Sequence, residues 1–143
     1  MTSTENDEDY RSLIFDSAKS LDYLDQFPIG NAFRWLANEI KNGKRNLKYD
    51  SVDFIVAKVL NRKEQPLNFQ KVNQINIYVI GTFRSEFVPT MKVAEAFAEF
   101  YLEMRVLPNI STITKKEFLG NPKSSLNKIR NGVLIYDRER NIH

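Results

Sequence analysis

Gln74-Ile75-Asn76-Ile77-Tyr78-Val79-Ile80-Gly81 is the stretch on which the fold turns. β-Branched and aromatic residues dominate it and a glycine closes it, so it reads as a β-strand, the clearest in the chain. Toward the C-terminus, Pro89 opens a helix with an apolar face of Val93, Phe97, Phe100, Tyr101 and Met104. Pro108 separates that helix from a short alternating strand, Ile110 to Thr114. Thr114 and Glu117 then have capping-box spacing ahead of Phe118 and Leu119. Asn121-Pro122 starts a further helix, Gly132 ends it, and Val133-Leu134-Ile135-Tyr136 forms a last strand. The order β-α-β-α-β requires helices that cover a sheet.

Toward the N-terminus the texture is helical. Tyr10, Ile14, Ala18, Leu21 and Leu24 recur at three- and four-residue steps and predict one amphipathic helix over 10–27. Pro28 suits the first turn of a second helix with the stripe Ile29, Ala32, Phe33, Leu36 and Ile40. Gly43 is placed to end it as a left-handed cap. Residues 51–62 fit either a helix capped by Asp50 or Ser51 or a β-branched strand, and the helix is the preferred reading. Residues 61–73, polar and containing Pro66, read as a connecting loop. The expected fold is therefore α+β: a helical N-terminal part followed by a small β-α-β-α-β sheet layer. Residues 1–9 are expected as an acidic disordered tail. Residues 10–143 make a single domain, mainly helical over 10–63 and α/β over 74–137.

Composition narrows the chemistry. The chain of 143 residues has no cysteine, and its one histidine is His143. Disulfides, thiolate metal sites and thiol nucleophiles are thereby excluded, and histidine-dependent hydrolysis or zinc ligation is not expected. No apolar run is long enough to span a bilayer, and the acidic start resembles no secretory signal, so a cytoplasmic protein is the simplest expectation. The net charge of +3 is unevenly spread. Glu5, Asp7, Glu8 and Asp9 give the first nine residues −4, which leaves 21 basic and 14 acidic side chains, a charge of +7, on the rest. Lys41, Lys44, Arg45 and Lys48 form the densest basic cluster and are the candidate contact for an anionic partner or nucleic acid. No aromatics interleave with them, which favours a solvated lysine-rich surface.

The five glycines fall into no phosphate-binding spacing, so a Walker or dinucleotide loop is excluded. The most site-like segment is the loop after the decisive strand, where Thr82, Arg84, Ser85 and Glu86 are candidate ligand-binding residues. Ligands of open α/β sheets sit outside the carboxyl ends of strands, and this loop lies there. Glu95, Glu99 and Glu103 form an acidic stripe without metal-site character, and the carboxylate pairs Asp22/Asp25 and Asp50/Asp53 are explained by helix starts and faces. No catalytic residue, metal site or cofactor is expected from these patterns.

QINIYVI at 74–80, STITKKEFLGNP at 111–122 and KIRNGVLIYDRE at 128–139 together resemble the later half of a minimal nucleotidyltransferase domain of the polymerase-β type. Ile129 to Tyr136 is similar to that family's I-x-x-G-x-x-L-Y ending. The resemblance covers under half the chain. It implies a Gly-Ser turn and an Asp-x-Asp pair that holds magnesium, yet no Gly-Ser dipeptide exists here and the matching positions are the neutral amides Gln74 and Asn76. It therefore implies a non-catalytic relative that keeps the scaffold for binding. IYVIGTFRSE also resembles, more weakly, the opening strand and loop of nucleoside deoxyribosyltransferase-like folds, although few residues follow it. The leading expectation is a small binding or regulatory protein that acts on a partner protein or nucleic acid. The alternatives are a nucleotide- or nucleoside-handling enzyme built on the 82–86 loop, and a phage or mobile-element factor that blocks a host protein.

Overall fold

The computed structural model describes residues 3–25, 29–43, 46–47, 50–60, 74–104 and 108–139. The described elements are α1 (Ser3–Ser17), β1 (Lys19–Ser20), a 3-10 turn (Leu21–Leu24), α2 (Ile29–Asn42), β2 (Val52–Leu60), β3 (Gln74–Gly81), α3 (Phe87–Met104), β4 (Pro108–Thr114), α4 (Lys115–Gly120), α5 (Pro122–Ile129) and β5 (Val133–Asp137). The fold is α+β with a helix-rich N-terminal region and one mixed five-stranded sheet in the order β1-β5-β2-β3-β4. β3 pairs parallel with β4 and β1 with β5, while β2 runs antiparallel to both β3 and β5. Only β2 therefore points against the other four strands.

The strand at 52–60 corrects the helix expected over 51–62. Its apolar residues divide between the two faces of the sheet. Ile55, Ala57 and Val59 pack into the cluster that holds α2 and α3, whereas Phe54 and Val56 pack into the cluster that holds α1, α4 and α5. A central strand buried on both faces is apolar nearly throughout, and a short run of that kind has no period to tell it from a buried helix. Residues 61–73, expected as a loop, lie outside the described residues.

The helix expected over 10–27 is also corrected. α1 ends at Ser17, and two residues of β1 then hydrogen-bond to the start of β5, with the Lys19 amide donating to the Gly132 carbonyl at 2.8 Å. That edge strand carries the chain from one face of the sheet to the other. Tyr10 and Ile14 are buried with Phe54 and Phe118, but Leu21 and Leu24 are buried on the opposite side with Phe33 and Leu36. The helical spacing was real up to Ala18 and coincidental beyond it. α1 also starts at Ser3, so it takes in most of the segment expected as a disordered tail. A run of acids is compatible with the positive end of a helix dipole.

The two expected helix caps hold. Thr114 accepts a hydrogen bond from the Glu117 amide at the start of α4, and Asn121 accepts one from Ser124 ahead of Pro122 in α5. Others differ: Gly43 is no left-handed cap, α5 ends at Ile129 ahead of Gly132, α3 begins at Phe87 ahead of Pro89, and β4 takes in Pro108. No glycine among the described residues has positive φ, and the left-handed positions are Ser51 (φ 56°) and Asn131 (φ 65°). Trp35 packs against the larger core cluster.

Candidate functional site

Strand register brings four chain segments together at one end of the sheet. Gly81 is opposite both Val52 and Thr114, and Phe54 is opposite Asp137. The start of β2 and the carboxyl ends of β3, β4 and β5 are therefore neighbours, and α1 covers them from one face. Tyr10, Arg11, Ser51, Asp53, Thr82, Lys115, Arg138 and Glu139 line a pocket of about 300 Å³ there.

Asp53 owes its place to a β-bulge. Val52 pairs with Gly81 and Phe54 with the adjacent Ile80, so Asp53 is the extra residue and has no partner on β3. Such a bulge re-aims a side chain that regular pleating would send elsewhere. The bulge also changes the parity of the strand: Val52 joins the same core cluster as Ile55, three residues on. The Asp53 carbonyl accepts the Arg138 amide at 2.9 Å, which ties the bulge to the end of β5.

The Tyr10 hydroxyl donates to Asp53 Oδ2 at 3.1 Å. Tyr10 is held by edge-on contacts with Phe54 and Phe118, at ring separations of 5.4 and 5.7 Å. Burial pushes the Asp53 carboxyl above its ordinary value, and the Tyr10 hydrogen bond and the charges of Arg138, Lys115 and Arg11 oppose that rise. Arg11 is already engaged, to Asp137 at 2.9 Å and to Glu139 at 3.3 Å. Lys115 lies 5.4 Å from the centre of the Tyr10 ring. Arg138 is exposed, and its guanidinium makes no hydrogen bond or ion pair with the described residues.

A second concavity of about 360 Å³ adjoins the first and is lined by Asp50, Ser51, Phe83, Arg84, Ser85 and Val88. Ser51 belongs to both. Its left-handed backbone turns the chain into β2, and its carbonyl accepts the Thr82 amide at 3.1 Å. Lys92 on α3 donates to Asp50 at 2.5 Å and to the Asn46 carbonyl at 2.9 Å, and so anchors this approach to β2.

The loop nominated from sequence is thus divided. Thr82 lines the first pocket, Arg84 and Ser85 line the second, and Glu86 lines neither. Lys41 is half-buried in the last turn of α2, and Lys44, Arg45 and Lys48 lie outside the described residues. Gln74 donates to Asn76 Oδ1 at 2.8 Å toward the far end of β3, the two residues about 23 and about 17 Å from Gly81 by strand rise. Sequence reasoning missed Tyr10, Arg11, Asp53, Lys115 and Arg138. The available signal was positional: Thr82, Lys115 and Arg138 each immediately follow a strand whose carboxyl end faces the site.

Among the described residues no group of three or more His, Cys, Asp or Glu side chains is placed to hold a metal ion. No helix of the described residues is long and apolar enough to cross a membrane. Comparison with protein-family models, with curated proteins and with solved structures gives no match.

Proposed function

We propose that this chain is a small binding domain whose pocket at the carboxyl ends of the strands takes an anionic group, and that it acts as a regulatory or accessory protein. The observation that carries this reading is the convergence of Arg11, Lys115 and Arg138 from three separate segments on one concavity. An unengaged guanidinium in a polar hollow is suited to an oxyanion, which it meets through two parallel hydrogen bonds. The anion belongs to a small molecule or to an exposed group on a macromolecular partner.

Isothermal titration with inorganic phosphate and pyrophosphate tests this reading. Binding should weaken at least about tenfold in Arg138→Ala, which removes both of those charged hydrogen bonds. Absence of binding for both anions would overturn it. The nucleic-acid version is distinguished by salt: affinity for single-stranded DNA or RNA would fall steeply with ionic strength, and replacing Lys41, Lys44, Arg45 and Lys48 by Ala would reduce that slope.

The enzyme reading built on the 82–86 loop keeps one specific support, because Arg84 and Ser85 line a hollow that shares Ser51 with the anion pocket. A ligand that occupies both hollows would lose affinity in Arg84→Ala as well as in Arg138→Ala. Turnover of that ligand would favour the enzyme reading over binding alone.

A further inference from the structure

A pocket built only to attract anions has no use for a carboxylate, yet Asp53 stands among the cations of this one. It is the bulged residue of β2, it is half-buried, and its Oδ2 accepts the Tyr10 hydroxyl. No described residue donates a hydrogen bond to its Oδ1.

Among the described residues, the charged and titratable groups that share the pocket with it are Tyr10 and Arg11 from α1, Lys115 at the start of α4, and Arg138 and Glu139 after β5. Asp137, at the end of β5, is turned to Arg11. Glu139 is a second carboxylate, but its side chain is 70% exposed and paired with Arg11, so water screens it. Among the described residues, Asp53 is the acidic group that an incoming anion meets at close range.

An ionised carboxylate only accepts hydrogen bonds. An oxyanion drawn in by Arg138 and Lys115 would set negative oxygen against negative oxygen at Asp53, unless a proton lies between them. We infer that Asp53 makes this pocket selective for an oxyanion that carries its own proton, inorganic phosphate or a protonated phosphomonoester, over one that carries none, such as sulfate. The phosphate O–H donates to Asp53 Oδ1 while its other oxygens accept from the cations, and no covalent bond changes. A phosphomonoester loses its second proton near pH 6, so its binding should tighten as pH falls toward 5. Inorganic phosphate keeps a proton through neutral pH and should bind at pH 7.

The inference rests on the anion-binding reading, and the experiment separates the two. The full chain, Asp53→Asn and Arg138→Ala are titrated with phosphate and with sulfate at pH 7 and constant ionic strength, with circular dichroism to show that each variant is folded. The wild type should bind phosphate at least about tenfold more tightly than sulfate, the discrimination of one charge-assisted hydrogen bond. Asp53→Asn, whose amide can donate, should bring the two affinities within about twofold by admitting sulfate. Arg138→Ala should weaken both anions and leave their ratio unchanged. Equal affinities in the wild type, or an undiminished preference in folded Asp53→Asn, would overturn the role of Asp53. If neither anion binds the wild type or Asp53→Asn, the anion-binding reading itself falls.

Discussion

Arg11 on α1 holds Asp137 at the end of β5 from 126 residues away, with Nη2 2.9 Å from Oδ2 and 3.1 Å from Oδ1. The Asp137 side chain is wholly inaccessible and also accepts the Glu139 amide at 3.0 Å. The Arg11 guanidinium lies over Phe54 and Phe15, at 5.1 and 5.4 Å from the ring centres. One interaction thus fastens the first helix to the last strand beside the pocket, and fixes the backbone that presents Arg138.

Removal of Arg11 would leave a buried carboxylate without its counter-charge. Arg11→Ala should therefore cost about 3 kcal/mol in urea unfolding. Arg11→Met with Asp137→Asn should cost less than Arg11→Met alone, because the stranded charge goes with its partner. Strict additivity in that cycle would show that the pair is not coupled.

The entry to β2 depends on a close approach of two backbones. A Cβ added to Gly81 would meet the Ser51 carbonyl oxygen and stand 2.9 Å from Val52 Cα. Backbone cannot rotate away as a side chain can, so Gly81→Ala should destabilise by about 2 kcal/mol. Ser51 should show the opposite sign. Its φ of 56° is costly for a residue with a Cβ, and Ser51→Gly should gain up to about 1 kcal/mol in thermal or urea unfolding.

Tyr10→Phe isolates the hydroxyl on Asp53, because the ring contacts with Phe54 and Phe118 remain. Loss of the hydrogen bond to Asp53 should cost about 1 kcal/mol. That bond favours the ionised carboxylate, so its removal should move the Asp53 titration further upward, as read from the carbon-13 shift of its carboxyl. A downward movement would show that Tyr10 does not stabilise the charged form.

The legible and illegible parts of this fold separate by the kind of signal each carries. β3, α4 and α5 were readable because their cues are local: a β-branched run, a Thr114 cap, an Asn121-Pro122 start. β2 was not, because burial on both faces removes its period. The stripe from Tyr10 to Leu24 misled for a different reason, since a two-residue strand passed its second half across the sheet. The site suffered most. The loop at 82–86 could be placed by the rule for strand ends, but Asp53 enters the pocket through a bulge defined by pairing with residues 80 and 81, and a strand buried on both faces has no alternation from which that register could be read.

Asp53 also sets a pH dependence whose sign follows from its environment. Burial raises its affinity for a proton in the folded state relative to the unfolded chain. Such a group contributes stability fully below its unfolded value, and that contribution is lost as pH rises through the folded value. At neutral pH the ionised carboxylate is thus a net cost that Asp53→Asn removes. The variant should be more stable than wild type at pH 7, by at most about 1 kcal/mol since water still reaches and screens the group. The difference should vanish near pH 3, where both side chains are neutral. Urea unfolding of both proteins from pH 3 to pH 8 reads this directly. A stability gain confined to acid, or a loss at pH 7, would mean that the cations and Tyr10 outweigh burial at the bulge.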